Sequence, residues 1–224
     1  LTRWDASVYG VWLALQAFVG MLALLSVSFQ TYVQGELLKI GKHDPLSSRQ
    51  LFWSALPVAW LLSFLEVLAV LFVFAFVDME QILGAKEGIN AIVDESTLLW
   101  ILLAYGLMNL VFMPFGGLAV RLLTVYGHFA RVSLWGVFRL ATTLIVSATA
   151  VYAGFSFLFV GLLWVATHAI TAAAGLIDMI YLMNRDRILG FLKPQLIIGF
   201  KALWRSQALS LSNIFNMISG NGVR

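Results

Sequence analysis

Three ionisable side chains lie deep within long apolar stretches of the sequence, where a charge is costly. They are Glu66, Arg139 and His168, and a charged residue at the centre of a membrane helix costs some ~2.5–3.5 kcal/mol on insertion scales. A guanidinium there can bind phosphate through paired hydrogen bonds, whereas a carboxyl or an imidazole can exchange protons. Two polar amides, Gln30 and Asn109, complete the candidate substrate-binding set.

Each charged residue inside these stretches also has a purely structural interpretation. Arg139 lies about two turns from the predicted end of its span, so its guanidinium can reach lipid phosphates by snorkelling. His168 can be a neutral, hydrogen-bonded packing residue. A fourth intramembrane charge, Asp178, can pair with Arg185 or cap an interface. Glu66 is the hardest to explain in this way, because no cation lies near it in the sequence. We expect it to be protonated, or to face water or a partner on another helix.

Membrane-spanning helices must position these side chains. Hydrophobic residues make up 61% of the 224 positions and charged residues 11%, against roughly half and a quarter in soluble domains. The apolar residues fall in blocks of roughly 20 to 30, the length that crosses ~30 Å of hydrocarbon as a helix. We therefore predict an all-α, polytopic transmembrane bundle with five full spans and the start of a sixth. The predicted spans are 8–34, 51–77, 97–120, 133–153, 155–183 and the incomplete 196–218.

Small and polar residues recur every three or four positions on one side of two predicted spans. The two stripes are Gly136, Arg139, Thr143, Ser147, Ala150 and Gly154, and Gly161, His168, Thr171, Gly175 and Asp178. Such a spacing places the residues of each stripe on one face of a helix. A stripe of this kind is typical of close helix packing as well as of a substrate path, so both interpretations stay open.

The connections between spans alternate in charge, which predicts their orientation. Every second connection is basic, with the cations Lys39, Lys42, Arg49, Arg121, Arg131, Arg185, Arg187 and Lys193. By the positive-inside rule these connections are cytoplasmic, and the chain begins on the outer side. An outer start without a signal peptide requires a span before Leu1, so we expect the sequence to be part of a longer protein.

Several classes of function find no support in the sequence. There is no cysteine, the three histidines show no metal-ligand spacing, and neither a phosphate-binding loop nor a serine nucleophile motif is present. The basic residues are topology signals rather than a nucleic-acid surface. We expect no enzymatic activity, no cofactor, no metal and no nucleic-acid partner.

The start of the chain and its first basic connection resemble those of polysaccharide flippases. Residues 9–12 read Tyr-Gly-Val-Trp, and residues 34–50 form a polar segment of alternating charge between two spans. The linker from Asn184 to Pro194 is similar to that family in its spacing. Residues 25–30, Leu-Ser-Val-Ser-Phe-Gln, depart from the Asp-Leu-Gly-Leu-like end that is common to the family's second span. These exporters of O-antigen and exopolysaccharide belong to the multidrug/oligosaccharidyl-lipid/polysaccharide exporter superfamily.

The resemblance implies a transporter of the bacterial inner membrane with two six-helix lobes about a central cavity. Residues 1–193 would correspond to spans two to six, and residues 194–224 to an amphipathic linker and the start of span seven. The implied function is flipping of an undecaprenyl-pyrophosphate-linked oligosaccharide to the outer leaflet by alternating access. The implied partners are this lipid-linked oligosaccharide, membrane lipids and the polysaccharide polymerase machinery.

Within this hypothesis the candidate residues take different roles. Arg139 is the best-placed residue to bind the pyrophosphate, and Glu66 and His168 are candidates for a counter-ion or for proton coupling. Two other functions stay open. One is a cation-coupled multidrug extruder of the same superfamily, which would use an intramembrane carboxylate such as Glu66; the other is a scaffold subunit that transports nothing.

Overall fold

The computed structural model describes residues 4–76 and 93–207, and the regular secondary structure of these residues is all helical, without a strand. The predicted all-α bundle is therefore confirmed. The helices of the described residues are α1 (Ala6–Leu22), α2 (Leu24–Ile40), α3 (Pro45–Phe76), α4 (Glu95–Val125), α5 (Phe129–Ala153), α6 (Phe157–Arg185) and α7 (196–207).

Four of these helices, α3 to α6, are long and apolar enough to cross a membrane. α1 and α2 meet at Ala23 at an angle of 44° and together make a fifth candidate span. This agrees with the five full spans that hydropathy predicts. Pro57 and Pro114 both lie inside continuous helices. Of the predicted sixth segment, residues 196–207 are helical and residues 208–218 lie outside the described part.

Local signals explain most of the helix ends. The Asp5 carboxylate accepts a hydrogen bond from the Val8 amide (2.8 Å) and thereby caps α1. α5 ends at Gly154, whose φ of 81° is the left-handed conformation that glycine adopts without strain. α4 ends five residues later than predicted and α5 begins four residues earlier. The charges of Arg121 and Arg131 had suggested a loop, but both residues are part of these helices.

α4 is the central helix of the bundle. It packs against α2, α3, α5 and α6, and its residues Leu98, Ile101 and Leu122 have at most 1% of their surface exposed. α5, by contrast, packs mainly on α6 and presents a broad apolar face to the outside. Only 11% of its most hydrophobic segment is buried inside the protein, against 33–39% for α3, α4 and α6. Lipid is the environment that suits such a surface.

The three connections that the sequence predicts to be cytoplasmic lie at one end of the bundle, which we call the basic end: residues 41–44, 126–128 and 186–195. His128 Nε2 lies 2.6 Å from Asp186 Oδ2, which joins the second connection to the third. Arg49 Nε donates to the Ile188 carbonyl (2.8 Å), and Trp53 Nε1 donates to the Gly190 carbonyl (2.8 Å). The positive-inside rule places this end in the cytoplasm, and that orientation stays a prediction.

Candidate functional site

A cavity of about 320 Å³ opens between α2, α4, α5 and α6. We call it the arginine cavity. Its polar lining consists of Gln30, Arg121, Trp135, Arg139 and Thr171. The remaining lining residues are Val27, Phe112, Met113, Gly116, Gly117, Val120, Val132, Gly136, Ala172, Gly175, Leu176 and Met179. No aspartate or glutamate is among them, so the cavity carries two positive charges and no negative one.

Arg139 lines this cavity from the middle of α5 and is half-buried. No carboxylate of the described residues lies within ion-pairing distance of its guanidinium. Its backbone carbonyl accepts a hydrogen bond from the Thr143 hydroxyl (2.6 Å), one turn further along the helix. A cation held in a largely apolar cavity without a counter-ion favours an anionic ligand.

Arg121 is a second cavity residue, although the charge pattern of the sequence predicts that it lies in a connection. Its Nη1 donates to the Gln34 side-chain oxygen (2.9 Å), and its Nε is buried without a hydrogen-bond partner in the described protein. A buried donor that lacks a partner costs about 1–3 kcal/mol, so a ligand oxygen there would relieve that cost. The sequence does carry a signal for this position. Arg121 follows Gly117 by four residues, which places both on one face of α4.

Gln30 reaches the same cavity from α2 and is only 3% exposed. Its amide nitrogen lies 3.4 Å from the Met113 carbonyl of α4. Gly117 makes this approach possible. A methyl group at that position would lie 2.5 Å from Gln30 Cδ and closer still to Oε1. The structure thus brings two of the five candidate residues, Gln30 and Arg139, into one site.

Glu66 and Asn109 lie at a second, separate place between α1, α3 and α4. They line a void of about 10 Å³, which is at the lower limit for holding one water molecule. The Ser26 hydroxyl donates to Glu66 Oε1 (2.5 Å), and no cation of the described chain lies within 4 Å of this carboxylate. Asn109 interacts with the hydroxyl of Tyr105. The hydrogen bond from Ser26 to Glu66 links α2 to α3, and the void beside it leaves no room for a bulky ligand.

His168 takes a third position, beside the arginine cavity rather than in it. Its Nδ1 lies 3.3 Å from the Thr143 hydroxyl of α5, and its ring makes edge contacts with Trp164 and Tyr105 at centroid distances of 5.1 and 6.4 Å. The next turn of α6 brings Thr171 into the cavity lining. His168 is therefore one helical turn from the cavity and joins three helices through its neighbours.

Asp178 pairs across helices rather than along its own. Arg131 binds it with Nε (2.9 Å) and Nη2 (2.5 Å), and Trp135 Nε1 donates to the same carboxylate (2.8 Å). The suggested pair with Arg185 is wrong, because Arg185 binds Asp186 instead (2.7 Å). Asp178 and Arg185 are seven residues apart in α6 and therefore about 10 Å apart along its axis. Arg131 is closer to Asp178 because α5 packs directly beside α6. Since Trp135 lines the arginine cavity, Asp178 holds one of its walls in place.

Comparisons with protein-family models, curated proteins and solved structures find no match for this chain. Among residues 4–76 and 93–207, no three histidine, aspartate or glutamate side chains come together as metal ligands.

Proposed function

We propose that this chain is part of a membrane transporter that flips an anionic, lipid-linked oligosaccharide, with a polyprenyl pyrophosphate as the group it recognises. The observation that carries the proposal is the arginine cavity, in which Arg121 and Arg139 share a largely apolar space without a carboxylate. The resemblance to polysaccharide flippases supports the same class of cargo.

The electrostatics of the cavity favour a diphosphate over a neutral ligand. Moving an unpaired ion from water into a low-dielectric interior costs several kcal/mol even after relaxation. Two guanidinium groups can offset that cost, because each forms bidentate hydrogen bonds with phosphate oxygens. Gln30 and Thr171 add neutral polar groups that can bind the sugar next to the diphosphate. The apolar remainder of the lining suits the first isoprene units of the lipid.

The Glu66 carboxyl gives less support to a cation-coupled drug extruder. It lies outside the arginine cavity, accepts a hydrogen bond from Ser26, and adjoins a void that holds at most one water. A coupling carboxylate needs access to water and to the transported cation. Resistance to cationic drugs that depends on Glu66, without any effect on glycan export, would favour the extruder.

Binding of a short-chain polyprenyl pyrophosphate to the purified chain tests the recognition step. Hydrogen bonds to charged groups contribute about 1.5–3 kcal/mol each, so we expect Arg139→Ala and Arg121→Ala each to weaken binding about 10- to 100-fold. The matched control is Arg187→Gln, since Arg187 is exposed at the basic end and lies outside the cavity. The corresponding polyprenol, which lacks phosphate, should bind equally weakly to every variant. Unchanged pyrophosphate affinity in both cavity variants would refute the proposed role of the arginines.

Labelling of introduced cysteines separates a transporter from a scaffold. The chain has no native cysteine, so a single one can be placed freely. Gly136 lines the cavity with nothing within 4 Å of an added Cβ, whereas the adjacent Val137 is 65% exposed on the apolar outer side of α5. A charged thiol reagent should label Gly136→Cys and leave Val137→Cys unlabelled, because a thiolate forms only in water. If neither introduced cysteine is labelled by the reagent, the cavity is a dry packing interface, which would indicate a scaffold.

A further inference from the structure

A second groove lies at the basic end, where α7 packs beside α2 and α3. It has a volume of about 350 Å³, and we call it the α7 groove. Its polar and charged residues are Tyr32, Glu36, Ser47, Gln50, Lys201 and Arg205. Its apolar residues are Ile40, Leu51, Ile198 and Ala202. It is thus amphipathic, with charged groups and hydrocarbon side by side.

The charge of the α7 groove is positive. Its only carboxylate, among the residues described, is Glu36, which already pairs with Lys39 at 2.7 Å. Lys201 and Arg205 are both exposed, and no described carboxylate lies within 4 Å of either. They lie four residues apart on one face of α7, so both can approach the same anion.

α7 also carries apolar side chains beside this cationic stripe. Its buried face, Gly199, Ala202 and Ser206, packs on the protein. Ile197, Phe200 and Trp204 point away from it and are 83%, 47% and 79% exposed. A helix with an aromatic and aliphatic ridge next to a basic stripe is typical of one that lies in the interface of an anionic bilayer.

The attachment of α7 to α3 places it close to the membrane boundary. A methyl group at Gly199 would lie 2.9 Å from Val58 Cγ2 and closer still to the Ser54 carbonyl oxygen, so α7 touches the α3 backbone at this point. α3 starts at Pro45, next to the connection 41–44 of the basic end. Ser54 is about 14 Å along α3 from that start, so α7 lies near the end of the bundle, where membrane helices leave the hydrocarbon.

We infer that the α7 groove binds the headgroup of an anionic phospholipid from the adjacent leaflet. Lys201 and Arg205 bind the phosphate. The acyl chains extend along the exposed ridge of α7 into the bilayer. This site differs from the arginine cavity in its helices, its position and its ligand, so it holds whether or not the chain flips a glycan lipid.

Native mass spectrometry of the purified chain can count retained lipids after exchange into phosphatidylglycerol or phosphatidylcholine. Each basic residue near an anionic surface strengthens binding by about 1 kcal/mol. We therefore expect Lys201→Gln/Arg205→Gln to weaken phosphatidylglycerol retention about 30-fold. Lys42→Gln/Lys193→Gln removes the same charge from the same end of the bundle, outside the groove, and should have no effect. Lys201→Arg/Arg205→Lys keeps both charges and should retain the lipid, which guards against a folding defect in the first variant.

Four results would overturn the inference. Equal loss in the two charge-removing variants would indicate diffuse surface electrostatics rather than a site. Unchanged phosphatidylglycerol retention in Lys201→Gln/Arg205→Gln would show that these two cations do not bind the lipid. Equal retention of phosphatidylcholine would show that a negative headgroup is not required. Displacement of the lipid by millimolar inorganic phosphate would show that the groove recognises free phosphate instead of a lipid.

Discussion

Gly161 of α6 packs directly against the Ile101 side chain of α4, and replacing it with alanine should destabilise the bundle at its centre. An added methyl group would lie 2.6 Å from Ile101 Cγ1, 3.2 Å from Cγ2 and closer still to Cδ1. Carbon atoms in favourable contact are about 3.5–4.0 Å apart. Ile101 has 0% of its surface exposed, so its β-branched side chain has no free space to move into.

The magnitude follows from two opposing effects. Overpacking a buried position costs about 1–3 kcal/mol, and alanine gains about 1 kcal/mol over glycine in a helix. The net effect of Gly161→Ala on the free energy of unfolding is then a loss of up to about 2 kcal/mol. Gly116→Ala in α4 is the matched control, because nothing lies within 4 Å of its added methyl. The difference between the two variants, about 1–3 kcal/mol, isolates the crowding.

Unfolding by sodium dodecyl sulfate in mixed micelles, followed by far-ultraviolet circular dichroism, measures these free energies. Ile101→Ala removes all three crowded atoms, so Gly161→Ala in that background should no longer be destabilising. If Gly161→Ala and Gly116→Ala agree within about 0.5 kcal/mol, the usual limit of additivity, the close packing of α4 against α6 is refuted. A penalty that persists beside Ala at position 101 would refute the assignment of the clash to Ile101.

Three further predictions concern the cavity and the basic end. Gly117→Ala should displace the Gln30 amide and weaken pyrophosphate binding. Gly20→Ala, whose added methyl meets nothing within 4 Å and which lies outside the cavity, should leave binding unchanged; ligand titration compares the two. Asp178→Asn should free Trp135 and increase quenching of indole fluorescence by aqueous iodide, whereas Asp44→Asn should not, because Asp44 is exposed and lies outside the cavity. Arg185 and then His128 lower the pKa of Asp186 to about 2. The contacts of the ionised Asp186 carboxylate therefore stabilise the folded chain fully above pH 3.8, the ordinary pKa of an aspartate, and this stabilisation is lost as the pH falls toward 2. Hydrogen exchange near residues 126–128 should rise over that range in the native chain and show no such step in Asp186→Asn.

Hydropathy was sufficient for the fold because the bilayer requires long apolar helices whatever their partners are. The ends of α4 and α5 were harder to place. Charge normally marks a boundary, which predicts that Arg121 and Arg131 lie in connections. Each has instead a polar partner within the bundle: Gln34 for Arg121 and Asp178 for Arg131. Such partners lie on neighbouring helices, so the spacing of residues along one helix does not identify them.

The same limit applies to the candidate site. Helical spacing placed Arg139, Thr171 and Gly175 on inward faces, and all three line the arginine cavity. Spacing within one helix carries no information on the register between helices. The contact of Gln30 with Gly117 and the separation of Glu66 from Arg139 depend on that register, and only the packed bundle defines it.

α5 forms one wall of the arginine cavity and is a single helix thick, with its outer face exposed to the surroundings. When such a helix tilts or shifts outward, its outer face stays in contact with lipid tails, which are as apolar as the leucine side chains that they touch. The movement therefore costs little free energy on that side. Most of the protein–protein contacts of α5 are with α6, so a motion that keeps them would change chiefly the distance of α5 from α2 and α4. We therefore expect the width of the cavity to respond to the lateral pressure and thickness of the bilayer, which act on α5 directly.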